Sequence, residues 1–593
     1  MTWTLEHIPS DLANITAETL VRRGDSSGAL KIYEELVQRN LANVEDGKLN
    51  PEWGSNLSNN YESIGDVLRA LGKSNAALES YRKGLEIRKQ QVAFDPANNR
   101  WQHDLSISYF TIGSEQSTRG ESDAAFENYR AGQKISERLV AMDPTNSEWQ
   151  RDLAISHERI GDLCMDRGES HRALNNRQSA LEIAERLAEM YPANNFLQRV
   201  LSVSHQKVGD SQKVIGEGNV ALQSYRAGLE VLERLAAIDP ENTDFQNDLL
   251  MSHVKVGNLQ LDRGEGDLAL ESYRTALKVA EQLAVIDPAN TDWQHDLSVN
   301  HMMVGDLQKG RGERAVALDH YWAGQAIAER LVAIDPTNIY WQQSLSASHK
   351  KIGDLQLARG EGDVALQSYL AGLAITKRLA DIDPANTEWQ WGLSVFHGSV
   401  GDVRSVRGEG NAALKSYEAK LEITERMAAM DPADTNWQHD LAISHDAIGY
   451  LRMMRGEGDA AFENYRAGLA ITERLAAMDF NNTVWQHGLS VSHHNIGNLR
   501  MACGEADAAV ASFQAGLEIR ERLVALDPTN ADWQRDLIVS DMKLAEAGDN
   551  THFHYERALS TAQRLQAMGK LLESDFWLIE NLPGILADLS AKS

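Results

Sequence analysis

Histidine, the side chain best suited to bind a transition metal or to titrate near neutral pH, recurs at a fixed interval along this 593-residue chain. Eight histidines are spaced 48 residues apart: His157, His205, His253, His301, His349, His397, His445 and His493. Side by side, they would form a metal-lined or pH-sensing groove. However, Tyr61 and Tyr109 occupy the same position nearer the start, and no His-Glu-x-x-His or paired-cysteine spacing accompanies the column. We therefore interpret these histidines as packing residues between helices.

Carboxylates and guanidinium groups form a second column with the same interval. The aspartates are Asp162, Asp210, Asp306, Asp354 and Asp402, and the arginines are Arg167, Arg263, Arg311, Arg359 and Arg407. Paired carboxylates can act as general acid and base, but an evenly repeated pair does not single out one reaction centre. We predict instead a ladder between repeats in which arginine neutralises aspartate.

Composition and the remaining motifs weigh against several classes of function. The formal net charge of −28 disfavours nucleic acid and anionic membranes as partners. No phosphate-binding Gly-x-x-x-x-Gly-Lys-Ser/Thr loop or Gly-x-Ser-x-Gly elbow occurs in the sequence, and Cys164 and Cys503 stand outside any nucleophile motif. We therefore expect no catalytic, cofactor-binding or metal-binding residues. The lack of an apolar leader or membrane span and the low cysteine content predict a cytoplasmic protein.

A 48-residue period defines the elements that must position all these side chains. One slot holds Trp or another large apolar residue every time: Trp53, Trp101, Trp149, Leu197, Phe245, Trp293, Trp341, Trp389, Trp437, Trp485 and Trp533. We count this slot as offset 0. Offset 12 is then Gly and offset 24 is Ala in all ten complete repeats, and offset 28 is Tyr or Phe in nine, with Arg177 the exception.

Each repeat is predicted to form two helices joined by a turn. In the repeat that begins at Trp293, apolar residues recur at helical spacing up to the sequence Arg311-Gly312-Glu313, where glycine suits the left-handed turn after a helix. Asp or Asn at offset 22, such as Asp267, is predicted to cap the second helix. That helix is predicted to end at Asp335-Pro336, because proline cannot continue it.

The spacing resembles a known repeat family. Its signature positions (Gly, large, Gly, Ala, aromatic, small) are occupied here by Gly305, Leu307, Gly312, Ala317, Tyr321 and Gly324. The pattern is similar to that of tetratricopeptide repeats, whose usual length is about 34 residues, and looks like the longer variety common in bacteria. The resemblance implies an all-α fold, namely an α-solenoid in which antiparallel helical hairpins wind as a right-handed superhelix.

The period also predicts how the chain is divided. Residues 1–52 are predicted to form a degenerate N-terminal capping repeat, because Gly24, Ala29 and Tyr33 lie 48 residues before their counterparts. Ten tandem repeats are predicted over residues 53–532. Residues 533–593 are predicted to form a degenerate repeat followed by capping helices, since internal repeats expose apolar faces to both neighbours.

Function is expected where the repeats differ, because shared slots build the scaffold. The resemblance implies that first helices line a groove for partner segments, and offsets 2, 9 and 16 share one face of that helix. The candidate partner-binding residues there are Val254, Leu261, Met302, Leu357, Trp391, Met453 and Met501. We expect a non-catalytic scaffold or adaptor that binds a basic or amphipathic peptide or helix of another protein. The alternatives are sequence drift at these slots, a helical-repeat enzyme or regulatory subunit, and an RNA-binding repeat, which the net charge opposes.

Overall fold

The computed structural model describes residues 9–42 and 51–592, without the side chains of a few residues that include Trp53, and divides the chain into two compact units, Met1–Trp293 and Gln294–Ser593. In the first unit the helices are α1 (Ser10–Arg22), α2 (Ser26–Leu41), α3 (Pro51–Ala70), α4 (Ser74–Phe94), α5 (Asn99–Thr118), α6 (Ser122–Met142), α7 (Ser147–Asp166), α8 (Ser170–Met190), α9 (Asn195–Val214), α10 (Gly218–Ile238), α11 (Thr243–Asp262) and α12 (Gly266–Ile286).

The second unit has the same alternation of helices, beginning with α13, which starts just before the boundary. The helices are α13 (Thr291–Gly310), α14 (Arg314–Ile334), α15 (Ile339–Ala358), α16 (Gly362–Ile382), α17 (Thr387–Val406), α18 (Gly410–Met430), α19 (Thr435–Met454), α20 (Gly458–Met478), α21 (Thr483–Ala502), α22 (Ala506–Leu526), α23 (Ala531–Glu546), α24 (Thr551–Ala567) and α25 (Phe576–Lys592). A short 3₁₀ turn (Glu573–Asp575) precedes α25, and the described residues contain no strand.

Local signals set the ends of these helices. The first helix of a hairpin is capped by Asn or Asp: Asn386 Oδ1 accepts a hydrogen bond from the Trp389 amide at 3.1 Å. Gly408 follows that helix with φ +76°, the left-handed conformation that glycine adopts without a Cβ clash. The second helix α14 ends at Ile334, the residue before Asp335-Pro336, as predicted.

The predicted cap of the second helices is wrong. Glu at offset 20, such as Glu265, occupies the N-cap position, and its side chain makes no capping hydrogen bond. Asp267 lies two residues later, in the first turn of α12. There its negative charge is favourable near the amide end of the helix dipole.

The invariant glycine at offset 12 brings the two helices of a hairpin together. A Cβ added at Gly305 would lie 2.5 Å from Cε1 of Tyr321, the fully buried aromatic residue at offset 28. The Tyr321 hydroxyl in turn donates a hydrogen bond to Asp306 at 2.7 Å. In the exceptional repeat, Arg177 takes the place of tyrosine and donates to Asp162 at 2.9 Å, so the same link between helices is kept.

Adjacent hairpins share their apolar cores. One cluster of buried side chains joins α14 and α15, and its members are Ala317, Leu318, Tyr321, Ile352 and Leu355. A hairpin therefore completes its core only against the next one. The fold class predicted from the sequence, all-α with stacked antiparallel hairpins, is confirmed. The predicted boundaries of the caps stay a prediction, and residues 1–8 and 43–50 of the N-terminal cap lie outside the described residues.

Within the described part of the chain, no helix combines the length and the apolar character that crossing a membrane requires.

Candidate functional site

The indole of Trp391, in the second unit, departs from the residues at the same slot of the other repeats. Trp391 lies at offset 2 of α17 and is 53% exposed. The other nine repeats have polar residues at this offset, for example Arg151, Gln343 and His439. Since the other nine repeats fold with a polar residue at this slot, packing within the repeat does not account for the indole of Trp391.

Two hollows lie on either side of Trp391. The first, about 380 Å³ in volume, is lined by Lys309, Gln343, Ser346, Ala347, Lys350, Lys351, Asp354, Thr376, Leu379, Glu388, Trp389, Trp391, Gly392, Val395 and Phe396. The second, about 500 Å³, is lined by Thr387, Glu388, Trp391, Asp434, Asn436, Trp437, His439 and Asp440. Trp391 and Glu388 line both hollows, and the Trp391 ring is accessible from each.

The charges of the two hollows differ. The three lysines of the first are balanced in part by neighbouring carboxylates: Lys350 pairs with Asp354, and Lys351 pairs with Asp306, both at 2.6 Å. The second hollow contains Glu388 and two aspartates but no lysine or arginine. The surface therefore changes from mixed charge in the first hollow to negative charge in the second.

A pair of substitutions within the same hairpin places a lysine stem between the two helices. Offset 31 is Gly or Ala in nine repeats but is Lys420 here, and offset 9, on the opposing first helix, is Gly398. A Cβ added at Gly398 would lie 3.4 Å from Cδ of Lys420, so the lysine stem occupies the space that a side chain at offset 9 would fill. A small residue on one helix thus compensates for a large one on the other.

Burial and charge oppose each other around Lys420. Burial lowers the pKa of the Lys420 amine, and the carboxylates of Asp440 and Asp402 act in the opposite direction. Burial likewise raises the pKa of Asp440, against the charges of Lys420 and His439 and a hydrogen bond from the Trp391 indole. The Trp391 indole is thus linked to Asp440 of α19, whose carboxylate also interacts with Lys420 of α18.

The candidate residues chosen from the sequence differ in accessibility. Only Leu261 and Trp391 are exposed, and Val254 is buried. The other four are half-buried against apolar clusters shared between their own hairpin and the next: Met302, Leu357, Met453 and Met501. Neither Met302 nor Leu357 lines the hollows beside Trp391. Their role in binding stays a prediction.

Sequence reasoning missed the contribution of Phe396, Gly398 and Lys420. Phe396 lines the first hollow although offset 7 is Ser or Asn in the other repeats, and its ring packs in the cluster that also contains Leu357. In the sequence, each of these residues differs from those at the same offset of the other repeats. That they adjoin Trp391 became evident only from the fold.

Comparison with known proteins identifies part of this repeat. Residues 58–91, from within α3 to near the end of α4, match the sequence profile of the tetratricopeptide repeat. Residues 58–91 are a tetratricopeptide repeat. The resemblance inferred from the sequence is thereby confirmed, and tetratricopeptide repeats are typical of protein–protein interaction scaffolds. No curated protein matches the chain.

Several solved tetratricopeptide-type structures are similar to this chain at low identity. The apo form of RapI is 15% identical, with 71% of this chain and 98% of that chain covered and a TM-score of 0.44. Yeast Tom70 is 13% identical, with 86% and 92% covered and a TM-score of 0.32. A signal transduction ATPase from Pyrococcus horikoshii, which has a tetratricopeptide repeat sensor, is 12% identical, with 69% and 55% covered and a TM-score of 0.39. These similarities are too weak to transfer a function.

The histidine column lies between the helices of the tetratricopeptide hairpins. His157, His349 and His445 face Asn or Gln side chains of second helices, at 3.0 to 3.4 Å. Burial lowers the pKa of seven of the eight histidines, and that of His301 falls to about 4. Among residues 9–42 and 51–592, no group of three or more His, Cys, Asp or Glu side chains could hold a metal ion.

The predicted ladder of aspartate and arginine is wrong in its partners. Asp210 and Asp306, at offset 13, each accept from the tyrosine hydroxyl of their own hairpin and from a lysine of the next: Asp210 accepts from Tyr225 at 2.8 Å and from Lys255 at 2.7 Å. The arginines at offset 18 reach back to offset 22 of the preceding repeat, as Arg167 does to Asp123 at 2.7 Å. Neighbouring repeats are therefore linked by two separate sets of ion pairs and hydrogen bonds.

Proposed function

We propose that this chain is a non-catalytic scaffold that captures a segment of a partner protein against Trp391 in the groove of its second unit. The exposed indole carries the proposal, because the other nine repeats have polar residues at that slot, some of them histidine but none of them Trp, Tyr or Phe. Large aromatic side chains in partly enclosed sites are over-represented among the residues that dominate binding energy. The concentration of further departures in α17 and α18 supports this location.

The charges beside Trp391 favour a particular kind of segment. The second hollow has three carboxylates, from Glu388, Asp434 and Asp440, and His439 as its one side chain able to become cationic. A Lys or Arg of the partner would gain favourable interactions with these carboxylates. The first hollow presents Ala347, Val395 and Phe396 between its charged residues. An amphipathic segment with an apolar anchor and a basic residue fits both hollows.

The two ends of the array are proposed to act as caps. In the C-terminal segment, Leu578 and Leu582 of α25 are buried in one cluster with Ile538, Ala558 and Leu565 of the two preceding helices. This arrangement covers apolar surface that would otherwise be open at the last hairpin. A cytoplasmic location stays a prediction from the sequence.

A displayed library of random helical peptides tests the proposed site, because it samples apolar anchors together with charges of both signs. Selection on the parent chain should enrich peptides that combine an apolar anchor with Lys or Arg. Their affinity for Trp391→Ala should fall at least about tenfold, or about 1.4 kcal/mol. Asn247→Ala, at the same offset of α11 and outside both hollows, serves as the matched control and should bind with little change. Enrichment of acidic peptides, or equal affinity for Trp391→Ala and the parent, would remove this site from consideration.

A further inference from the structure

An apolar side chain is exposed at the C-terminal end of the second helix in each of the ten repeats. Offset 41, the last residue of that helix, is Phe, Met, Ile or Leu in all ten repeats. In the second unit these residues form what we term the apolar column: Ile334, Ile382, Met430, Met478 and Leu526. They are between 58% and 69% exposed. The first unit repeats the feature with Phe94, Met142, Met190, Ile238 and Ile286.

This regularity distinguishes the apolar column from scattered surface residues. The first helices end at offset 17, on the opposite edge of the hairpins, and that slot varies from Asp262 and Gly310 to Val406 and Met454. Isolated exposed apolar residues are normal in proteins, whereas a continuous apolar surface marks an interaction site. Packing inside the repeat does not require offset 41 to be apolar, since most of each side chain is in contact with solvent.

The charges next to the apolar column are balanced. In the second unit each column residue is preceded, one helical turn earlier on the same face, by an arginine: Arg330, Arg378, Arg426, Arg474 and Arg522. Each is followed directly by an aspartate: Asp335, Asp383, Asp431, Asp479 and Asp527. This edge therefore alternates positive and negative charge, although the chain as a whole carries −28. A surface with both signs at a fixed interval is complementary to itself.

We propose that the apolar column is the interface through which two copies of this chain associate. A partner for the column must present apolar groups and both signs of charge at the interval of one tetratricopeptide hairpin. A second copy of the same column has that interval and those charges. A two-fold axis between copies would place equivalent surfaces against each other, as in most symmetric dimers.

The apolar area is sufficient for such an interface. At roughly 100 Å² of apolar surface per exposed side chain, five residues on each of two copies bury on the order of 1,000 Å², which reaches the lower bound for specific interfaces. Tyr340 and Phe480, exposed by 73% and 61%, lie just beyond the ends of the second helices and add to this edge. The association is thus expected to be specific but reversible.

Sedimentation velocity of the whole chain over a wide concentration range tests the proposal. The parent should approach twice the 65.8 kDa chain mass as concentration rises. The triple variant Ile382→Asp, Met430→Asp, Met478→Asp should stay at the mass of one chain, with its association weakened at least about a hundredfold. The control Val364→Asp, Val406→Asp, Met454→Asp adds the same charge at exposed apolar residues of the opposite edge and should dimerise like the parent. Circular dichroism should show equal helicity for all three proteins.

Methionine oxidation provides a second readout that needs no substitution. Met430, Met478 and Met454 are similarly exposed in a single chain, at 58%, 62% and 65%. Under dilute peroxide, mass spectrometry should find all three oxidised at similar rates at low protein concentration. At high concentration Met430 and Met478 should be protected, and Met454 should not. A parent that remains one chain at every concentration, equal association of the two triple variants, or oxidation rates independent of concentration would each overturn the proposal.

Discussion

The neighbouring hairpins α15–α16 and α17–α18 have equivalent helix bounds but differ where their helices meet. In α15–α16, offset 31 is Gly372, and a Cβ there would lie 3.2 Å from the His349 Cβ on α15. In α17–α18 the same offset is Lys420, whose stem lies over Gly398. Trp391 then projects from the altered hairpin. The scaffold therefore tolerates different residues at offsets 9 and 31, as long as one residue of each such contact between helices is small.

The largest effect is expected on folding, because both hairpins depend on adjacent hairpins to bury their apolar side chains. A peptide of residues 339–386, which contains α15 and α16, should be mostly unfolded by circular dichroism. Its apolar clusters include side chains from α14 and α17, such as Tyr321 and Phe396, which the peptide lacks. The fragment of residues 294–593 should be helical and melt cooperatively. A stable, cooperatively melting single hairpin would contradict this account of burial between repeats.

Replacing glycine by alanine should destabilise the chain more at a slot that is Gly in all ten repeats than at a slot that varies. Gly353→Ala should lower the free energy of unfolding by about 3 kcal/mol, because its Cβ would lie 2.6 Å from the buried Tyr369 ring. Gly398→Ala should change it by less than about 1 kcal/mol, since the nearest atom is Lys420 Cδ at 3.4 Å on a flexible stem and alanine favours helix. Urea denaturation measures both. Equal losses would show that the two slots are under the same packing constraint.

In the next hairpin, Asp446 is expected to make the free energy of unfolding depend on pH. It occupies the same offset as Gly398, and burial raises its pKa to about 7. The folded pKa lies above the ordinary value of an aspartate, so its protonated form is favoured by folding, and stability should fall as pH rises from about 4 to 7. Asp446→Asn should raise the free energy of unfolding at pH 8 by about 2 kcal/mol and by little at pH 4.

The matching carboxylates of the first unit provide the control for Asp446. Glu62 pairs with Arg88 at 2.7 Å, and Glu158 pairs with Lys207 at 3.4 Å. The corresponding positions around Asp446 hold Thr472 and Asn495, which carry no charge. Glu62→Gln should therefore destabilise the chain at pH 8 by leaving a buried arginine without its anion. A stabilising Glu62→Gln, or an Asp446→Asn effect independent of pH, would show that charge pairing does not distinguish these repeats.

The smallest effect is expected at the histidine column. Burial and the nearby His320 lower the pKa of His301 to about 4, below its ordinary value, so its stabilising contribution is present above about pH 6.5 and is lost as pH falls toward 4. His301→Tyr, the residue found at this slot in the first two repeats, should change the melting temperature little at pH 8 and reduce its fall at pH 5. Added zinc should leave both proteins unchanged. Stoichiometric zinc binding that is abolished by His301→Tyr would refute the packing interpretation.

The sequence was sufficient for features that depend on neighbours along the chain. Gly312 predicts a helix end because only the local backbone has to turn there, and Asp335-Pro336 stops a helix for an equally local reason. The partners of Asp210 and Arg167 were not predictable, because each lies a whole repeat away and several slots offer an opposite charge. The proximity of Lys420 and Gly398 likewise depends on how two helices cross. The sequence shows only that each residue is unusual at its offset.

If the variable slots bind a partner while the shared slots hold the fold, then truncating each of the two tryptophans of α17 should affect a different property of the chain. Trp389 is half-buried against the cluster containing Leu345 and Leu379, whereas Trp391 is exposed at the groove. Melting curves and calorimetric titration of a selected peptide should be measured for Trp389→Ala and Trp391→Ala.

Trp391→Ala should lose at least about tenfold in affinity with an almost unchanged melting temperature. Trp389→Ala should melt at a clearly lower temperature, because truncating a packed tryptophan costs about 3 kcal/mol or more. The account would be contradicted by a Trp391→Ala variant that binds as tightly as the parent, or by one that unfolds as readily as Trp389→Ala.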